Sequence, residues 1–164
     1  MPLIVWTNPW TIGVKLLDND HKMLVLLINQ LHDELVTGGS KSSLKSSFDA
    51  LVKFACVHHR NEDRLLAETA YPGAAAHHQE HDRLLGHLIE LQARFANNTQ
   101  LADELEIVHQ LREWLFKHTQ SSDREFAAHL KSHGANAILA AHKFSPISEV
   151  HAHEDDARIV QEVC

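Results

Sequence analysis

Apolar residues recur at steps of three and four along four long stretches, and each stretch ends at a cluster of Gly, Pro or Asn. In the first, Asp18 is placed to cap a helix that begins just after it and runs to about residue 36. Leu24, Val25, Ile28, Leu31 and Leu35 mark its buried stripe, and Gly38-Gly39-Ser40 stops it. The second covers about residues 42–69, with Leu44, Phe48, Leu51, Ala55 and Leu65 on one face and a break at Tyr71-Pro72-Gly73. The third, about 74–96, carries Leu84, Leu88, Leu91 and Phe95 and ends at Asn97-Asn98-Thr99. The fourth, about 101–131, carries Leu111, Trp114 and Leu115, with Gly134 as its stop. Trp6, Pro9 and Trp10 favour an irregular arm over residues 1–17. Helices of this length joined by short turns predict an all-α, up-down-up-down four-helix bundle over residues 1–134. Residues 135–164 read as a separate tail: a short helix over 135–143, a break at Pro146, then a mobile or loosely docked acidic segment with His151 and His153.

Composition agrees with a packed helical globule. Of 164 residues 44% are hydrophobic, and Gly and Pro are few. The net charge of −7, without a basic stripe, argues against nucleic-acid binding. No apolar run approaches the ~18 residues of a membrane span. The N-terminal segment lacks the charged start of a secretory signal, so a cytoplasmic location is expected. Cys56 and Cys164 do not form a disulfide framework or a CxxC motif; the expectation is a buried thiol and an incidental terminal one.

The 15 histidines change the picture, because several lie on apolar stripes. His21 follows Asp18-Asn19-Asp20 on the first helix, and the second carries His58-x-x-x-Glu62. The third carries His77-x-x-x-His81, and the fourth carries His118-x-x-x-x-Asp123. Residues four apart share a helix face. Polar side chains on a core-facing stripe are costly unless they are paired or bind metal. Seven of them, on four helices, describe a bundle built around a metal centre. His118 and Asp123 are five apart, about 140° around an ideal helix. A wider π-type turn, or a lateral reach by Asp123, is therefore expected there.

Seven protein ligands are too many for one ion. Five imidazoles and two bridging carboxylates make nine bonds to two metals, and a solvent-derived oxygen bridge makes eleven. Two octahedral ions offer twelve positions, so one stays open, which suits a single diatomic ligand. Reversible O2 chemistry requires redox-active metals, which points to two irons and away from zinc.

The order His, His-x-x-x-Glu, His-x-x-x-His, His-x-x-x-x-Asp resembles hemerythrin in its single-domain bacterial form. Trp6, Gly13-Val14, Asp18-x-x-His21-Lys22, Tyr71-Pro72 and Trp114-Leu115-x-x-His118 extend the resemblance over about residues 4–131. Myohemerythrin is itself one of the standard up-down-up-down bundles. The resemblance implies that His77, His81 and His118 hold one iron and that His21 and His58 hold the iron with the open position. Glu62 and Asp123 would bridge the two, and O2 would bind in a pocket lined by Val25, Leu115 and Thr119. The chain departs from the family pattern at His59, where Phe is usual, and at Asp63, Phe54 and Thr119. Thr119 takes the place of a branched apolar residue. Either it is a Val isostere with its hydroxyl bonded to a helix carbonyl, or the hydroxyl admits water or bonds to the bound ligand and shortens the oxygenated state. His59 and His78 adjoin ligands but are expected to point off their faces. His32, His87, His109, His129, His133 and His142 are expected to be surface or supporting residues.

Three functions follow: reversible O2 binding for transport, storage or delivery; sensing of O2 or iron through the tail; and a diiron peroxidase-like or oxidase-like activity. Ferritin-type oxidases use more carboxylates, in Glu-x-x-His pairs. Five histidines with two carboxylates therefore favour O2 binding without catalysis.

Overall fold

The computed structural model describes residues 1–97, 100–135 and 138. Four long helices dominate it: α1 (Lys15–Val36), α2 (Lys41–Glu68), α3 (Ala74–Asn97) and α4 (Leu101–His118). α4 passes through a π turn (Thr119–Asp123) into α5 (Arg124–Ser132), so the three segments form one composite fourth helix. α1 lies against α2 and α4, and α3 against the same two. That is the ring of neighbours expected of an up-down-up-down bundle. No helix among the described residues is long and apolar enough to cross a membrane.

The helix starts differ from expectation in one instructive place. α1 begins at Lys15, so Asp18 lies within it and is not its cap. The Asp18 carboxylate instead reaches back, accepting the N–H of Ile12 at 2.8 Å and of Gly13 at 3.0 Å. It secures the arm, whose one regular piece is a 3-10 turn at Asn8–Trp10. Ser40 caps α2, its hydroxyl accepting the Ser43 N–H at 3.1 Å. At the far end of the fourth helix, Ala135 N–H returns to the Leu130 carbonyl at 3.2 Å around Gly134, whose φ of +63° is left-handed.

Two apolar clusters fill the bundle. The larger includes Leu24, Ile28, Leu31, Phe48, Leu51, Ala55, Leu88 and Leu115. The smaller includes Leu17, Leu65, Leu66, Phe126 and Leu130. Along α1 the order is Leu17, His21, Leu24; along α2 it is Ala55, His58, Glu62, Leu65; along the fourth helix it is Leu115, His118, Asp123, Phe126. The polar residues therefore form one layer closed above and below by hydrocarbon.

Cys56 is buried on α2 and is not a free thiol, contrary to expectation. Cys164, the tail helix over 135–143 (apart from Ala135 and Ile138), Pro146, His142, His151 and His153 lie outside the described residues.

α2 ends in a turn that glycine would serve better. Ala70 has φ +49°, and the next N–H, that of Tyr71, bonds to the Leu66 carbonyl at 3.0 Å. A left-handed Ala costs ~1–2 kcal/mol. Glycine gives back part of that gain through the freer unfolded chain. Ala70→Gly is expected to raise unfolding stability by about 0.5–1 kcal/mol in urea titration; a loss of stability would contradict the strain assigned to this turn.

Candidate metal centre

The seven side chains expected to act together do meet in the polar layer. His21, Glu62 and Asp123 have no exposed surface, and His58, His77, His81 and His118 are at most 4% exposed. Glu62, His77, His81, His118 and Asp123 each offer one ligand atom within 4.8 Å of all the others. His21 and His58 pair with each other, their ring centroids 5.1 Å apart.

Asp123 faces both groups. Its Oδ1 is 2.9 Å from His118 Nε2 and 3.2 Å from His77 Nε2, while its Oδ2 is 3.0 Å from His21 Nε2. One Glu62 oxygen, Oε2, lies 3.5 Å from both His58 Nε2 and His81 Nε2. Asp123 therefore separates His77 and His118 from His21 between its two oxygens, while one Glu62 oxygen is shared by His58 and His81.

The expected irregularity at 118–123 is the π turn. The extra residue turns Asp123 inward onto the face of His118. Neighbouring groups hold the widened turn. Ser121 Oγ donates to the Lys117 carbonyl at 2.8 Å, and Ser122 Oγ donates to Glu80. Gln120 and Arg124 both donate to the Pro9 carbonyl of the arm.

Three carboxylates that sequence reasoning passed over orient the histidines from behind. His58 Nδ1–H donates to Asp20 at 3.2 Å, His81 Nδ1–H to Asp63 at 2.9 Å and His118 Nδ1–H to Glu80 at 3.0 Å. Such bonds fix each ring's tautomer and turn Nε2 inward. A signal for them was present: Asp20 adjoins His21, Asp63 adjoins Glu62 and Glu80 adjoins His81, so each points to a neighbouring helix. The Nδ1 atoms of His21 and His77 have no hydrogen-bond partner among the described residues.

The donor set fits a metal pair. His21, His77, His81 and His118 Nε2, both Glu62 oxygens and both Asp123 oxygens are buried without an aligned hydrogen bond. They approach one another closely, yet their lone pairs converge on shared space. Electrostatics agree. Burial opposes charge on His118, but Asp123 and Glu80 raise it to about 10. Burial likewise opposes charge on His81, which Asp63 and Glu62 raise to about 9. Its hydrogen bond from His118 brings Glu80 down to about 2. Without a cation, the imidazoles must hold protons to neutralise the carboxylates; a metal would displace those protons.

The remaining predicted positions also have places. Val25 and Leu115 are buried in the larger apolar cluster, and Thr119 is fully buried. The helix-carbonyl bond expected of the Thr119 hydroxyl is not made: Oγ1 has no partner among the described residues. His59 is not a surface residue; it is 5% exposed and its ring stacks on His81 at 4.1 Å and 5°. His78 is exposed and donates to Asp63 at 2.7 Å.

A helical bundle holding a buried histidine-carboxylate centre is thus the class that fold and site define. Residues 12–130 match the family model "Hemerythrin HHE cation binding domain", and the chain belongs to that family. It is 29% identical over 133 residues to a bacteriohemerythrin of Stenotrophomonas maltophilia, covering 81% of this chain and 85% of the relative. It is also 29% identical to the bacteriohemerythrin of Methylococcus capsulatus over 125 residues, covering 76% and 94%. A wild-type hemerythrin crystal structure superposes with TM-score 0.69 at 28% identity, covering 78% of this chain and 98% of that one.

The pH dependence of the metal-free chain follows from the raised histidines. His81 at about 9 and His118 at about 10 lie above the ordinary 6.5. Their stabilisation is complete below about pH 6.5 and is lost as pH rises through about 9 and 10. The melting temperature of metal-free protein is expected to fall between pH 6.5 and 10, and that of metal-loaded protein to fall less. Parallel curves would show that the two forms share one protonation state.

Proposed function

We propose that the bundle over residues 1–134 binds O2 reversibly at two irons held by His21, His58, Glu62, His77, His81, His118 and Asp123. The single observation that carries this reading is the division of histidines across Asp123, with Oδ1 toward His77 and His118 and Oδ2 toward His21. Three imidazoles on one iron and two on the other would leave unequal coordination, with the open position on the poorer iron. A reduced iron pair, when bound, supplies two electrons to O2 and recovers them on release.

The protein's own part is positional. Asp20, Asp63 and Glu80 hold three imidazoles in register. The apolar clusters on both sides keep bulk water from the layer. Val25 and Leu115 supply apolar walls to the O2 pocket, and Thr119 contributes a buried, unbonded hydroxyl. The scarcity of carboxylates favours binding over oxidase chemistry. The names of the bacteriohemerythrins to which the chain is similar support the same reading.

Protein loaded with two irons per chain and reduced without air is expected to develop a charge-transfer absorption on adding O2 and to lose it on deoxygenation. Absence of a reversible band at full iron content would remove the carrier reading. Thr119→Val is expected to lengthen the life of the oxygenated form, because it replaces the unbonded hydroxyl with a methyl. An unchanged decay rate beside wild type would show that Thr119 is only an isostere.

A further inference from the structure

Among the buried, unanswered polar atoms outside the seven-residue layer, two belong to neighbouring rings. His59 Nδ1 on α2 and Trp114 Nε1 on α4 both lack hydrogen-bond partners among the described residues, and neither atom has appreciable solvent contact. Their rings meet edge-on, with centroids 6.4 Å apart and planes at 62°. Buried polar atoms left unbonded in a native structure commonly mark an internal water. Here two such atoms belong to adjacent rings on facing helices.

We propose that His59 and Trp114 hold an internal water between α2 and α4. The donor chemistry selects water. Indole Nε1–H can only donate, so the ligand must accept from it. Imidazole Nδ1 donates in one tautomer and accepts in the other, and water pairs with either. Phenylalanine at position 59 would supply no polar atom.

The position gives the water a role. Trp114 also lines an open surface pocket of about 520 Å³, together with Glu113, Phe116, Lys117, Gln120 and Ser121. One indole therefore borders both this pocket and His59. His59 in turn stacks on His81 and lies 6.1 Å from His118, centroid to centroid. The proposed water therefore lies one ring from the metal layer and one ring from the surface pocket.

The test needs neither iron nor O2, so it stands apart from the proposed function. In the full chain, labelled with 15N and loaded with zinc, the Trp114 indole resonance is assigned by its absence in Trp114→Phe. Magnetisation transfer from water to this indole proton is expected in the wild type. In His59→Phe that transfer is expected to be lost, the resonance to move upfield, and hydrogen-deuterium exchange of the indole proton to slow several-fold. His59→Gln keeps a polar side chain and is expected to retain the contact, so the proposal can still be judged if the Phe variant folds poorly. An indole proton with no water contact in the wild type overturns the proposal. So does a water contact that survives unchanged in His59→Phe.

Discussion

Two carboxylates with no exposed surface, Glu62 and Asp123, set the terms for the rest of the molecule. An isolated buried carboxylate is too costly to remain ionised in an apolar core. Each must meet positive charge from protons or metal, and the five imidazoles around them can carry the first or coordinate the second. That requirement places His21, His58, His77, His81 and His118 at one height on four helices. It also divides the hydrocarbon core into two clusters with a polar layer between them. A bundle with one continuous apolar core would leave those carboxylates uncompensated.

The π turn answers the same constraint. A regular helix would turn Asp123 away from His118 and leave the layer with one carboxylate. The extra residue breaks the helical repeat, and the cost is offset locally by bonds from Ser121 to the Lys117 carbonyl and from Ser122 to Glu80. Glu80 also receives His118, so a single side chain supports both a ring of the layer and the turn that brings Asp123 beside it. The N-terminal arm joins this arrangement, because Gln120 and Arg124 both reach the Pro9 carbonyl. Asp18 and Lys131 fix the arm from two sides at Ile12, Asp18 accepting its N–H and Lys131 donating to its carbonyl at 2.6 Å.

Polar atoms without partners are concentrated around this layer. Thr119 and His59 stand where the resembling family usually has apolar residues, and both bury a polar atom that no described residue satisfies. They lie on different helices, α2 and the start of the π turn, and each adjoins a histidine of the layer in sequence. These side chains make the surroundings of the centre more polar than the aliphatic clusters above and below it.

The helix count, the turns and all seven residues of the layer were legible from the sequence, because their signals are local: a period near 3.6, punctuation by Gly and Pro, and ligand pairs four apart on apolar stripes. The five-residue gap between His118 and Asp123 even marked the π turn, since regular geometry could not serve both side chains. What lay beyond reach depended on contacts between helices. Asp20, Asp63 and Glu80 sit beside residues of the layer in sequence, which turns them toward neighbouring helices, but which histidine each one serves is fixed only by contacts between helices. Asp18 looked like a helix cap because a cap and a backward reach to Ile12 and Gly13 use the same residue at nearly the same place. His59 is expected from sequence only to point off the face that carries His58, because one step along α2 rotates a side chain by about 100°. Only the position of α3 and α4 shows that this direction leads against His81 and Trp114, not into solvent. The sequence by itself determined which side chains share a helix face; tertiary packing decided which faces met, because distances between helices depend on how their surfaces interlock.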